Sequence, residues 1–189
     1  MEEIIKEYER TLVFPSSKKL RIFLCPIGLI GSGKTTVMKP LAEKLGLLRI
    51  SSDDLRKIMR EKRHGFENLK EAISSLVSKY VEQGYGIAMD SDHGPTEKKK
   101  KLEEFAAKVS MPIVWIHINP PEEFIVNKLK NFKHSWLFKD VDDAIKNYET
   151  RKPLHQNLDF DFTYTFDTSR DDLVDQIDEA VQIIINKFA

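Results

Sequence analysis

The 189-residue chain has one cysteine, Cys25, and no apolar run near the ~20 residues that cross a bilayer. It also has no excess of either charge, with 30 lysines and arginines against 30 aspartates and glutamates. Each shortage excludes something. One cysteine forms no internal disulfide, and the stretch MEEIIKEYER has no apolar region of the kind a secretory signal needs, so the protein is expected to be cytoplasmic and to meet no membrane. Balanced charge provides no whole-molecule field that would draw it to nucleic acid, so any basic site must be local. There is no internal repeat and no low-complexity segment. At this length a single domain over residues 1–189 is expected, burying ~70% of the surface of the unfolded chain.

Glycine is sparse too, yet three of the 8 glycines stand within CPIGLIGSGKTTVMKP, where residues 28–35 spell G-x-x-x-x-G-K-T. Glycines at 28, 31 and 33 let backbone N–H groups turn toward phosphate oxygens, and the following helix offers its positive end. Lys34 reaches the outer phosphates, and the Thr35 hydroxyl suits Mg²⁺. The nucleotide site is therefore expected to use Gly28, Gly31, Ser32, Gly33, Lys34, Thr35 and Thr36. Cys25, just before the loop, reads as a small core residue, and Pro40 is expected to kink or shorten the helix after the loop.

Around this loop, short apolar runs alternate with helical periodicity. RIFLCPIG, LLRI, residues 84–89, MPIVWIHIN and FTYTFDTS read as strands. Residues 34–45, SSDDLRKIMREK, 68–83, 98–107, PPEEFIVNKLKNF, a segment ending near Lys152 and 171–188 read as helices, after an amphipathic start. The pattern predicts a three-layer α/β fold: a five-stranded parallel sheet with helices on both faces, and a short lid at about 128–142. Ligands of such sheets sit beyond the carboxyl ends of the strands, so Gly28, Ser51, Asp90 and Asn119 are expected to line one crevice.

SSDDLR opens a helix at that mouth. Ser51, Ser52 and Asp53 could simply cap it. Alternatively Asp53, three residues before Arg56 and on the same face, is a general base taking a proton from an acceptor hydroxyl, while Arg56 orients an anionic part of the acceptor. GLIGSGKT, then ISSDDLR, then GIAMDSD at a strand end resemble the small P-loop kinases, among them the polynucleotide 5′-hydroxyl kinases and, more distantly, gluconate, shikimate and adenylylsulfate kinases. The resemblance implies that Asp53 is the catalytic base, that Arg56 contacts the acceptor, and that Asp90 joins Thr35 in the Mg²⁺ shell, with Asp92 as the competing carboxylate. His93 reads as a surface turn residue.

In such kinases a basic segment closes over the phosphates. Here it reads NKLKNFKHSWLFKD, with Lys128 where the resemblance places arginine and with Lys130 and Lys133 beyond it. Lysine lacks the planar fork of arginine. Trp136, Leu137 and Phe138 read as packing against the core. RKPLH resembles the R-x-P-L-Y segment of shikimate-type kinases, which implies that Arg151 faces nucleotide or phosphate; a helix-end arginine serving its own carbonyls is the other reading. KKKK at 98–101 reads as a solvated face, because four consecutive helical residues point around most of the circumference.

The expected function is transfer of the γ-phosphoryl group of ATP, with Mg²⁺, to a hydroxyl or phosphate acceptor: a nucleotide or nucleoside, a polynucleotide 5′ end or a small metabolite. The alternative is a regulatory P-loop NTPase that acts without a separate acceptor. Against it, no N-K-x-D guanine-reading motif is present, since NKLK at Asn127 lacks the aspartate.

Overall fold

In FLCPI, polar residues do not alternate with apolar ones, and all five positions are buried, as befits a strand covered on both faces. This is β1 (Phe23–Ile27) of a computed structural model that describes residues 1–18, 20–92, 96–131, 138–156 and 158–188. It lies at the centre of a sheet with β2 (Leu48–Ser51), β3 (Ile87–Asp90), β4 (Ile113–Ile118) and β5 (Phe162–Phe166). The spatial order is β2-β3-β1-β4-β5, and every neighbouring pair is parallel.

The helices follow the expected punctuation: α1 (Glu2–Thr11), α2 (Lys34–Leu45), α3 (Ser52–Glu61), α4 (Leu69–Glu82), α5 (Thr96–Lys108), α6 (Glu122–Lys130), α7 (Val141–Arg151) and α8 (Leu173–Phe188). Alternate residues of β1 serve two cores. Phe23, Cys25 and Ile27 meet Tyr8, Leu55, Leu76 and other residues of α1, α3, α4 and α5. Leu24 meets Val37, Leu41 and Ile184 of α2 and α8 on the opposite face. Truncating a fully buried side chain such as Leu24 to alanine costs about 2–5 kcal/mol. Cys25 is wholly buried, as expected of a core residue. Among the described residues no helix is long and apolar enough to cross a membrane.

Two details matter for the site. Pro40 neither stops nor shortens α2, which runs through it to Leu45 and closes on Gly46 in the left-handed conformation. The carbonyl that Pro40 leaves without a donor belongs to Thr36, an exposed position where water can serve it. And β2 is an edge strand whose carboxyl end is closed by α1, where the Tyr8 hydroxyl accepts a 2.7 Å hydrogen bond from the Ser51 N–H.

Candidate functional site

Between β1 and α2 the chain turns through Gly31 at φ 80° and Gly33 at φ 93°, conformations that glycine adopts at little cost. A Cβ on Gly28 would stand 2.7 Å from the Ile118 carbonyl and 2.8 Å from Ser32 Oγ, so the loop is pressed against the end of β4. Lys34 bends back, its Nζ donating to the carbonyls of Gly28 (2.8 Å) and Leu29 (2.9 Å). Loss of hydration lowers the pKa of Lys34, while the fields of Asp92, Asp53 and Asp90 push it back up. Ser32 Oγ is buried and has no hydrogen-bond partner among the described residues. Among the described residues this lysine is held only by loop carbonyls and this hydroxyl is unpartnered, which fits a loop that wraps phosphate. Thr36, also expected here, is exposed on the first turn of α2.

The loop after β5 closes the same end. Thr168 Oγ1 donates to the Ser32 carbonyl at 2.6 Å, and its side chain stands 3.0 Å from where a Cβ on Gly33 would be. Asp167 and the buried Gln176 brace this loop, the Asp167 N–H donating to Gln176 Oε1 at 2.9 Å. The strand-end rule points to Thr168 once it is applied to all five strands.

The carboxylate wall follows from sheet register, which sets Ser51 of β2 beside Asp90 of β3. The Asp90 side chain is only 3% exposed. Its Oδ1 lies 3.4 Å from Thr35 Oγ1, bringing the two expected metal-binding residues together. Its Oδ2 receives Arg49, with Nε at 2.8 Å and Nη2 at 2.6 Å, and Arg49 Nη1 reaches Asp54 at 2.8 Å. Burial raises the pKa of Asp90 more than Arg49 lowers it. Arg49 carries no motif, and nothing in the sequence marks it except its position two residues before a strand end. A hydroxyl beside a carboxylate oxygen suits a hard cation. Among the described residues no group of three or more His, Cys, Asp or Glu could hold a metal.

In α3 the two readings of SSDDLR divide between residues. Ser51 is the cap, its Oγ accepting from the Asp54 N–H at 3.2 Å. The Asp53 carboxylate is left to pair with Arg56, and both side chains are partly exposed at the mouth.

Asp92 gathers a second set. Its Oδ2 lies 3.2 Å from Nε2 of His155, whose side chain is 7% exposed, and 3.8 Å from Arg151 Nη1. Lys98 Nζ donates to the Asp92 carbonyl at 3.1 Å. The solvated face expected for KKKK holds at Lys98, Lys100 and Lys101, which are exposed, while the partly buried Lys99 reaches the Asp159 carbonyl and Lys101 pairs with Glu97. Helical geometry places such residues around the circumference, and the neighbouring elements decide which of them meet protein. Arg151 ends α7, yet it faces Asp92 and acts electrostatically on Lys34.

Lys128 and Lys130 are exposed in the last turn of α6, so the expected lid start at 128 falls inside a helix. Lys133, His134, Trp136, Leu137 and His93 lie outside the described residues. Phe138 packs as expected, with Ile125, Leu129 and Tyr148, against Leu29 and Ile30 of the phosphate loop. Beside them, His117, Asn119, Tyr148 and His155 help line a cavity of about 170 Å³ that reaches Gly28.

The model of a protein family described as an AAA domain matches residues 24–135, more than half of the chain. The chain belongs to the AAA-domain family. The matched span of this AAA-domain chain includes the phosphate loop, Arg49, Asp53, Asp90 and Lys98, and leaves Tyr8, Arg151, His155 and Thr168 outside it. The fold is that of the small P-loop kinases. A gluconokinase from Sinorhizobium meliloti superposes with a TM-score of 0.59 at 12% identity, over 90% of this chain and 97% of that one. An APS kinase from Mycobacterium tuberculosis in complex with AMPPNP and APS gives 0.59 at 13% identity, over 87% and 98%. A shikimate kinase from Acinetobacter baumannii in complex with shikimate gives 0.53 at 17%, over 89% and 96%. Curated proteins give no significant match to the sequence.

Proposed function

We propose that this AAA-domain protein is a kinase that transfers the γ-phosphoryl group of ATP, with Mg²⁺, to a hydroxyl or phosphate acceptor. One observation carries the reading: Lys34, bound among the described residues only to carbonyls of its own loop, lies in the fields of three carboxylates, Asp53, Asp90 and Asp92, brought from two other strand ends. A loop that only held nucleotide and its metal ion would use Asp90, beside Thr35, and leave Asp53, which pairs with Arg56, without a task. The gluconokinase, APS kinase and shikimate kinase that share the fold support the same class of reaction.

In this reading Asp53 takes the proton of the acceptor hydroxyl as the new O–P bond forms, and the bond from the γ-phosphorus to the bridging oxygen breaks to release ADP. Lys34 and the amides of Gly31, Ser32 and Gly33 hold the phosphates, with Gly28 setting the loop's approach. Arg56 orients the acceptor. Thr35 and Asp90 Oδ1 would hold Mg²⁺, which neutralises charge on the phosphate oxygens, while Arg49 fixes the other Asp90 oxygen. Arg151 serves the phosphate side, and Lys128, Lys130 and Lys133 serve the lid. Catalysis is then mainly positioning and charge neutralisation.

The test is an acceptor screen with γ-labelled ATP, covering oligonucleotide ends, nucleosides, nucleotides and sugar acids. Label appearing on one acceptor class, dependent on Mg²⁺, supports the kinase. Hydrolysis to inorganic phosphate with no labelled acceptor overturns it in favour of a regulatory NTPase.

A further inference from the structure

A base on α3 is useful only while the first turn of that helix keeps its place beside the end of β3, and the residues around Asp53 are tied down accordingly. Asp54 gives its N–H to Ser51 Oγ at 3.2 Å and takes Arg49 on its carboxylate at 2.8 Å, the same arginine that holds Asp90. The hydroxyls of Ser52 and Ser91 meet at 2.5 Å, which joins α3 to the residue after β3. Ser51, 1% exposed, is held from the other side, where its N–H donates to the Tyr8 hydroxyl at 2.7 Å.

Tyr8 stands on α1, outside the span shared with the AAA-domain family. Its ring and Ile4, one turn earlier, are buried in the core that also takes Leu55, Ile58 and Met59 of α3. Polar contacts fasten the rest of α1. Glu9 accepts from Tyr80 Oη of α4 at 2.9 Å, and Glu7 meets Lys62 at 2.8 Å. Because Ser51 and Lys62 are the N-cap and C-cap residues of α3, α1 grips that helix at both ends. The apolar face of α1 covers the sheet edge, and the Tyr8 oxygen adds a fixed point for the backbone of the turn that carries Asp53.

We infer that α1 is a positioning element for the acceptor end of the site, and that Tyr8 is its positioning residue, acting through the Ser51 backbone on the place where α3 presents Asp53. The inference rests on the kinase reading and deepens it. Proton transfer needs base and hydroxyl within hydrogen-bond reach, so a shift on the order of 1 Å in this turn can cost up to ~10²-fold in rate. The nucleotide end should not feel that shift, since the phosphate loop rests on the end of β4 and on Thr168 after β5.

The test is a double-mutant cycle between Tyr8→Phe, which keeps the ring and removes only the oxygen, and Asp53→Asn. Label from γ-labelled ATP is followed onto the compound that wild type labels fastest among oligonucleotide ends, nucleosides, nucleotides and sugar acids. The readouts are kcat at saturating Mg²⁺ and ATP and, separately, AMPPNP affinity. Tyr8→Phe alone is expected to lower kcat by about five- to tenfold with AMPPNP affinity within about twofold of wild type. In the Asp53→Asn background the same change should alter kcat by less than about twofold, because no base is left to misplace. Ser91→Ala loosens the same turn from the β3 side; it should follow Tyr8→Phe, and it keeps the cycle measurable if Tyr8→Phe does not fold. Lys62→Gln cuts only the exposed tie at the far end of α3 and should keep kcat within about twofold. The inference is overturned if Tyr8→Phe keeps wild-type kcat, if it lowers kcat and AMPPNP affinity together, or if it lowers kcat equally with and without the Asp53 carboxylate. Failure of the kinase reading looks different: wild type itself then labels no compound of the panel.

Discussion

At the nucleotide end of the crevice one contiguous stretch, residues 28–35, supplies the glycines, the lysine and the hydroxyl, and its main contacts stay local, as in Lys34 to Gly28 and Leu29. At the acceptor end one pair is local, Asp53 with Arg56, and the walls around it join distant residues. Arg49 reaches Asp90 across 41 residues, Tyr8 takes the N–H of Ser51 across 43, and His155 meets Asp92 across 63. The first end is made of backbone, which any member of the fold can repeat. The second is made of side-chain pairs between elements, so it can be re-specified by a few substitutions without disturbing the sheet. The difference shows how a common fold can keep one substrate and change the other.

Substitutions at the two ends should therefore fail in different ways. The largest effect is expected for Lys34→Met, which removes charge from both bound and reacting phosphates: transfer should fall by ~10²–10³ and nucleotide affinity should fall with it, in kinetics paired with direct binding. Arg49→Met breaks the comparison at the other end, because it strands the 3%-exposed Asp90 carboxylate. It should cost about 3–5 kcal/mol in urea unfolding at pH 7. The sign with pH follows from Asp90, whose pKa burial has already raised. As pH falls through that raised value Asp90 takes up a proton and no longer needs its partner, so the deficit should shrink as the solution is made more acidic.

Tyr8→Phe should cost less, about 1–3 kcal/mol, by leaving the Ser51 N–H without its acceptor at the edge of the sheet. The Tyr8 hydroxyl, pushed up to about 12 chiefly by burial, gives a second readout. The unfolded chain releases that proton near pH 10 and the folded one holds it, so wild type should lose stability between pH 10 and about 12. At ~1.36 kcal/mol per pKa unit the variant should lose up to ~2.7 kcal/mol less over that range. The smallest effect belongs to Lys128→Gln and Lys130→Gln. Both lysines are exposed in α6, where solvent and salt screen their charge, so kcat should change less than tenfold.

The same contrast governs how far the sequence could be read. Strand order aside, the sheet and its helices were legible because apolar runs and capping residues are local signals, and Gly46 and Ser51 act as that chemistry requires. The phosphate loop was legible for the same reason. Asp53 and Arg56 were legible as a pair, since three residues apart on a helix puts them on one face. Arg49, Tyr8 and Thr168 were not, because their partners are fixed only when β2 lies beside β3, α1 covers the edge and β5 ends against the loop. Pro40 was the one discordant signal in α2: it argued for a kink or a shorter helix, while the helical pattern read from Lys34 to Leu45 gave the observed length.

The account turns on one residue at the junction of the two ends, Asp53, assigned to the acceptor's proton and not to the nucleotide. The decisive measurement is the Asp53→Asn variant, assayed for phosphoryl transfer and, separately, for nucleotide affinity. Transfer is predicted to fall by ~10²–10⁴ with nucleotide affinity within about twofold of wild type. Equal losses of affinity and transfer, or undiminished transfer, would contradict the division of labour between the two ends.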